Sequence, residues 1–301
     1  MHNMNRDEKK LNRIYRPPES NVYSYRFFQD ISTGVAYTLA EKDCKEKFFD
    51  FEPEHCSIKE LLKSKSFYYV NDPLAQSLER ALHSLIVYGK AYIYIKAEYE
   101  NPSYQQNKTQ EQKVVSLEIT EIKGFIKRKS ADNILFVSKE YCKGTIEKKL
   151  DRKGLVILDI RDLGFGKRHF RHIVHRLGRY DIRSVALQLM ENEVGYDVNI
   201  HSKKSKRLEL KALKDTGWSF GTEGLSDSYI LYKKMQLDIF KIKVLKYILD
   251  EVNESLGCIC GENAGKIVAH IRNLDYEKLW NEYQNGEITV TELTKVLYQH
   301  N

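Results

Sequence analysis

The sequence predicts an α+β fold, with a mixed or antiparallel sheet, helices packed against it, and one long helix near 225–256. Three observations predict it. Between Asn71 and Lys96 (NDPLAQSLERALHSLIVYGKAYIYIK) the apolar repeat changes from helical to strand-like at a single glycine. The middle third carries short apolar runs separated by polar turns, which is how strands read. From Leu225 to Leu256 neither Pro nor Gly interrupts a helical stripe of Ile242, Leu245, Leu249, Val252 and Leu256.

Residues 1–20 are polar and basic and end near Pro17-Pro18, as a flexible arm or extended tail does. Tyr23 to Phe51 is helix-like (FFQDISTGVAYTLAEKDCKEKFF), with a start near Asp30 to Ser32, and Ile58 to Leu62 is a short second helix. Asp72 then caps a helix with Pro73 in its first turn; Leu74, Leu78, Leu82 and Leu85 recur on one face, and Gly89 supplies the left-handed exit. Ala91, Ile93 and Ile95 alternate with Tyr92 and Tyr94 as a half-buried strand does.

Asn101 to Lys113 is a polar loop joining that strand to a second one in Val114 to Ile119. Further strands are expected at Ile134 to Val137 and Leu155 to Ile160, with Glu147 to Lys153 as a turn between them. Gly164 to Arg179 (GFGKRHFRHIVHRLGR) is the most basic segment, with five Lys or Arg and three His. A helix is expected from Ile182 to about Val194, followed by a polar, basic stretch from Asn199 to Lys214. The long helix comes next; at 1.5 Å per residue its 32 residues span roughly 48 Å. Asp275 to Tyr283 is a helix ended by Asn285-Gly286, and Thr289 with Glu292 forms a capping box that opens the last helix. The chain thus divides into an arm (1–20), a sheet-containing region (21–220) and a helical region (221–301).

Composition narrows the function classes. Hydrophobic residues make up 42% and aromatics 11%, with 20 Tyr against 12 Phe and 2 Trp, so most of the chain is globular rather than disordered. A formal charge of +7 favours a polyanionic partner without demanding one, and the placement of the cations says more than their sum. No apolar run is long enough to cross a bilayer and no hydrophobic signal segment opens the chain, so a soluble, intracellular protein without membrane contact is expected. Five cysteines at 44, 56, 142, 258 and 260 form no disulfide pattern.

The search for catalytic groupings yields little. Glu121-Ile122-Lys123 has the Glu-x-Lys form of metal-dependent nucleases but lacks a partner Asp a strand earlier. Gly164-Phe165-Gly166-Lys167 is no phosphate loop, because Arg168 stands where Ser or Thr is required. His169, His172 and His175 recur at helical spacing, yet the surrounding Lys and Arg would repel a cation, and Cys258-x-Cys260 is too closely spaced for a zinc half-site. No catalytic residue, metal ligand or cofactor is therefore assigned. The cations are the candidate site: Lys167, Arg168, Arg171, His172, Arg176 and Arg179, with Lys203, Lys204, Lys206 and Arg207, would attract phosphate oxygens without reading bases.

Three segments carry a family resemblance. Leu85 to Ile95 (LIVYGKAYIYI) resembles the unit in tailed-bacteriophage portal proteins where an amphipathic helix ends in an apolar-Tyr-Gly-x-Ala-Tyr type of sequence and continues as a strand. Leu237 to Leu256, with Asp250, Glu251 and Asn253, resembles the helix that follows the portal sheet region, and Gly286 to Glu292 (GEITVTE) resembles the Gly-x-Ile-Thr-x-x-Glu motif near the end of the portal core. The chain is shorter than a typical portal subunit, and only one long helix is obvious. The resemblance implies a portal-like core with a wing-like region at 21–220 and a stem- or crown-like region at 221–301. It implies a homo-oligomeric ring of about twelve subunits around a channel for double-stranded DNA, without catalysis of its own. Its implied partners are a terminase, capsid or scaffold protein and head-completion proteins; its place is the capsid vertex of the virion or the cytoplasm of the infected bacterial cell. Two alternatives stay open: a basic α+β nucleic-acid-binding protein of a host or mobile element, and a metal-dependent nuclease built on Glu121 and Lys123.

Overall fold

The computed structural model describes residues 22–32, 35, 39, 48–62, 73–100, 113–122, 125–127, 134–136, 150–179, 198–219 and 226–298. The fold is α+β, with eight helices and small antiparallel sheets among the described residues. Helix α1 (Val22–Ser32) is followed by strand β1 (Phe49–Glu52), helices α2 (Ser57–Leu61) and α3 (Pro73–Tyr88), and strands β2 (Lys90–Tyr99), β3 (Val114–Ile122), β4 (Phe125–Lys127), β5 (Ile134–Phe136) and β6 (Leu155–Asp159). Helices α4 (His169–Arg179), α5 (Val198–Thr216) and α6 (Asp227–Cys260) come next, then strand β7 (Lys266–Ala269) and helices α7 (Tyr276–Gln284) and α8 (Val290–Tyr298).

The central sheet has the order β3-β2-β6, antiparallel throughout, with Ile93 opposite both Glu121 and Val156. Alternation decides which face is covered. Ala91, Ile93 and Ile95 are buried under α3, whose Leu74, Leu78, Leu82 and Leu85 form the matching stripe. Each of those leucines removes enough apolar surface to contribute about 2 kcal/mol. On the other face Tyr92 and Tyr94 pack beside Ile122, Leu150 and Leu155.

At the junction of α3 and β2, Gly89 adopts φ 74°, and its amide donates to the Leu85 carbonyl at 2.8 Å, which ends the helix as a left-handed cap. The Gly89 carbonyl in turn accepts from the Ile160 amide at 3.0 Å, tying the end of β6 to the junction.

Helix α6 has 34 residues, a length of about 51 Å. Ser226 caps it by accepting from the Tyr229 amide. Its length is explained by two hydrophobic clusters rather than one. Phe240, Val244, Leu245, Ile248, Leu249, Val252 and Leu256 belong to the main core, whereas Leu231 and Met235, nearer its start, pack with Tyr276, Leu293 and Leu297 of the C-terminal helices. Between the two clusters sits buried Asp238, which accepts from Lys234 at 2.7 Å and 2.8 Å and faces Arg272; Arg272 also donates to the Leu297 carbonyl at 3.1 Å.

Asn253, one of the residues carrying the family resemblance, has a physical task. Its side-chain amide donates to the Ile267 carbonyl and its oxygen accepts from the Ile267 amide, both at 2.8 Å, so it pairs with β7 as a neighbouring strand would. On its other edge β7 pairs antiparallel with β1, Phe51 opposite Ile267.

The structure corrects several expectations. Phe49 to Phe51 is not the end of a helix but part of β1: Phe49 and Phe51 point inward with Asp50 between them, a strand repeat. Its partner lies more than two hundred residues away, so no local signal announced it. Asp30 and Ser32 lie within α1, which starts at Val22, rather than at a helix start. The basic stretch from Asn199 to Lys214 is the helix α5, and β7 and β4 were not anticipated. The capping box is present, with the Thr289 amide donating to Glu292 at 2.7 Å and the Glu292 amide to the Thr289 hydroxyl at 3.2 Å. Residues 1–20, the expected helix at 182–194 and the loop at 101–112 lie outside the described residues.

Candidate nucleic-acid interface

The basic segment is built onto the core through the turn between β6 and α4. Asp159 ends β6, and its carboxylate accepts from the Arg161 amide at 3.1 Å, from the Arg161 guanidinium at 2.7 Å and 3.0 Å, and from Lys90 at 2.9 Å. Those cations, Arg161 foremost, hold the Asp159 carboxyl well below the usual carboxylate range. Tyr247 of α6 joins the same turn, accepting from the Asp159 amide at 3.1 Å and donating to Asp162 at 2.7 Å.

Beyond Gly164 the chain is clamped by aromatic packing. The Phe165 ring lies 4.9 Å from that of Phe170 and 5.9 Å from that of Phe240, while Lys243 reaches over Phe165 and donates to the Leu163 carbonyl at 3.2 Å. The backbone at Lys167 then presses on the helix–strand junction: a Cβ placed on Gly89 would stand 1.9 Å from the Lys167 carbonyl oxygen. The glycine of the LIVYGKAYIYI segment is thus the seat of the basic turn.

Helix α4 has two unlike sides. Phe170, Ile173, Val174 and Leu177 are buried, while Arg168, His172 and Arg176 recur on the exposed side. Helix α5 packs beside it, and His169 Nε2 lies 2.6 Å from Asp215 Oδ2, joining the start of α4 to the end of α5. Between the two helices lies a solvent-facing cleft of about 310 Å³ lined by Gly166, Lys167, Arg168, His169, His172, Ile173, Arg176, Leu208 and Lys211. None of these residues is acidic, and the N-terminus of α4 adds its own partial positive charge. Four Lys or Arg side chains can neutralise phosphates, the part of nucleic-acid binding that carries no sequence information.

The structure gathers part of the predicted set and disperses the rest. Lys167, Arg168, His172 and Arg176 line the cleft. Arg171 does not; it acts on the Tyr88 hydroxyl, whose ionisation is pushed up by burial first and by Glu121 second, with Arg171 opposing. Lys203, Lys204, Lys206 and Arg207 are exposed on α5 but are not cleft-lining residues, and Lys206 sits about 140° around the helix from Lys211. The side chain of Arg179 lies outside the described residues.

Lys211 is the cleft residue that sequence reasoning missed. Its signal is the spacing Arg207–Lys211 beside apolar Leu208 and Ala212, legible only once 198–216 is read as a helix. Glu121 accepts from the Ser84 hydroxyl at 2.9 Å, turned into the packing of α3 on β3, and Lys123 lies outside the described residues. Among the described residues no three His, Cys, Asp or Glu are grouped to hold a metal ion, and no helix is long and apolar enough to cross a membrane. No protein-family model matches this chain, and no curated protein matches it.

Proposed function

We propose that the protein is a portal-like subunit of a homo-oligomeric ring, and that the cleft between α4 and α5 is where it meets the phosphate backbone of double-stranded DNA. The observation that carries the nucleic-acid part is the cleft itself, in which Lys167, Arg168, Arg176 and Lys211 converge without an acidic lining residue. The ring part is supported by the order of three features: the helix–glycine–strand unit at Gly89, the long α6 with Asn253 docked on β7, and the capped start of α8. In this reading the ring conducts DNA during phage packaging and ejection, alongside a terminase, capsid or scaffold protein and head-completion proteins. It works at the capsid vertex or in the infected cell. Weak, sequence-independent contacts suit that role, because base-specific binding would stall a moving duplex.

The cleft favours a second reading in which the protein binds nucleic acid without assembling. Solution mass by light scattering separates the two, an assembly of roughly ten or more subunits supporting the ring. DNA affinity against salt tests the cleft. Four neutralised phosphates predict a slope of log K on log salt of about −3.6 per site, and Arg168→Ala with Arg176→Ala should flatten it by about two, equally for unrelated duplexes. An unchanged slope, or a loss confined to one DNA sequence, would overturn the assignment of the cleft.

A further inference from the structure

Two surfaces outside the cleft complement each other in charge and in chemistry. The first is the outward side of α5. Ile200 and Leu210 are 51% and 49% exposed there, and Lys203, Arg207 and Lys214 stand among them on the same side of the helix. Over its whole length α5 carries six Lys or Arg against two carboxylates.

The second surface is where the start of α6 meets α7. Four half-buried aromatics form a row: Tyr229 and Tyr232 stack at 6.5 Å, Tyr232 and Trp280 lie 4.9 Å apart, and Trp280 and Tyr283 5.4 Å. Their neighbours are acidic. Asp275 to Tyr298 carries five carboxylates against two lysines, and exposed Asp227 and Glu277 stand in the first turns of α6 and α7.

An aromatic row can be a platform for bases, but here the carboxylates would repel the phosphates that accompany them. A row of Tyr and Trp with one edge wet is also what protein interfaces favour. The partner it suits is basic and partly aliphatic, and α5 has that character.

We propose that the aromatic, acidic surface at α6–α7 of one copy docks on the outward side of α5 of the next. Neither surface is self-complementary, since basic would meet basic and acidic would meet acidic. The contact is therefore head-to-tail, and such a contact closes into a ring or runs on as a filament according to the rotation between copies. The proposal rests on the ring reading above but uses neither the cleft nor its arginines.

The test uses two full-length variants and light scattering at matched concentration. Ile200→Ser with Leu210→Ser alters only exposed side chains of α5; Glu277→Lys reverses the charge one turn from Trp280 on the other surface. Thermal melts by circular dichroism establish that both remain folded. Each variant alone should fall to monomer mass. Mixed in equal amounts they should form pairs that grow no further, because one intact contact remains per pair and the other is spoiled on both sides.

An assembled wild type whose mass either variant leaves unchanged overturns the docking while the ring stands. A mixture that stays monomeric overturns it as well. A monomeric wild type overturns docking and ring together, and the salt slope of DNA binding by the monomeric α5 variant then shows independently whether the cleft assignment survives.

Discussion

The contact between Gly89 and Lys167 gives a prediction whose size can be worked from the structure. Gly89→Ala meets two costs. At φ 74° an L-residue is in the left-handed region, which costs roughly 1–2 kcal/mol. The new methyl would also stand 1.9 Å from the Lys167 carbonyl oxygen and 2.8 Å from its carbon. Those atoms are backbone, so relief requires the whole turn at Lys167 to retreat by more than about 1 Å, against the Phe165–Phe170–Phe240 packing that holds it. Overpacking of that kind adds about 1–3 kcal/mol, for a total of about 2–5 kcal/mol.

Two neighbouring glycines separate the terms. Gly164 has φ 89° with open space around its Cβ position, so Gly164→Ala should lose only the backbone term of about 1–2 kcal/mol. Gly166 has neither a left-handed φ nor a close neighbour, so Gly166→Ala should be nearly neutral. Urea unfolding of the three variants, compared at constant m, measures each loss. Gly89→Ala should also weaken DNA binding, because the displaced turn carries Lys167 and Arg168 into the cleft. If Gly89→Ala is no less stable than Gly164→Ala, the basic turn is not seated on the helix–strand junction.

Asn253→Ala removes both hydrogen bonds to Ile267 and leaves that backbone pair without its side-chain partner, so a loss of about 2–3 kcal/mol is expected by urea unfolding, with amide exchange accelerated in β7. Lys241 is buried, and burial pulls its amine down to about 8, with Asp238, Asp30 and Glu79 opposing the shift and Lys234 adding to it. Between that value and the ordinary one near 10.4 the unfolded chain binds more protons, so stability should rise with pH across this window; Lys241→Met should remove the rise and be more stable at pH 7 by on the order of 3 kcal/mol, which pH-dependent unfolding checks.

Local patterns made much of the architecture legible. The junction at Gly89, the strands β2 and β3, the long helix and the final capping box are all legible in the local sequence, because each is set by periodicity or by a cap. Strands β1 and β7 do not, since four residues each are too few to show a repeat and their pairing joins distant parts of the chain. Helix α5 escaped for a different reason: its buried side is narrow, with Leu208, Ala212 and Thr216 as the buried side chains among the described residues, and polar or charged residues occupy most of what remains. That omission also hid Lys211, and with it the second wall of the cleft.

The candidate site was half legible for the same reason. A run of cations in sequence says that charge is present, but a helix sends successive side chains to different sides. Arg168, His172 and Arg176 recur at four-residue steps and stay together, whereas Arg171 falls on the flank toward Tyr88. Spacing within the basic segment, more than its density, separated the cleft residues from their neighbours.

The cleft combines a rigid base with mobile tips, and that combination bears on what it can do. The turn at Lys167 is fixed by Gly89, by aromatic packing and by the Lys243 contact, and α4 is joined to α5 by His169 and Asp215. The cations themselves project from that base into solvent. A fixed base sets where the charge lies relative to the fold, while the mobile tips let each charge follow a phosphate that moves. In the proposed reading one such cleft would neutralise about four phosphates and so bind weakly at physiological salt. Weak contact limits an isolated binder, but in a ring the same contact is repeated around the duplex, and strength comes from multiplicity while each contact still releases quickly. If the protein assembles, the salt slope of the whole should therefore exceed that of a monomeric variant; equal slopes would mean that a duplex engages one cleft at a time and that the clefts do not share a channel.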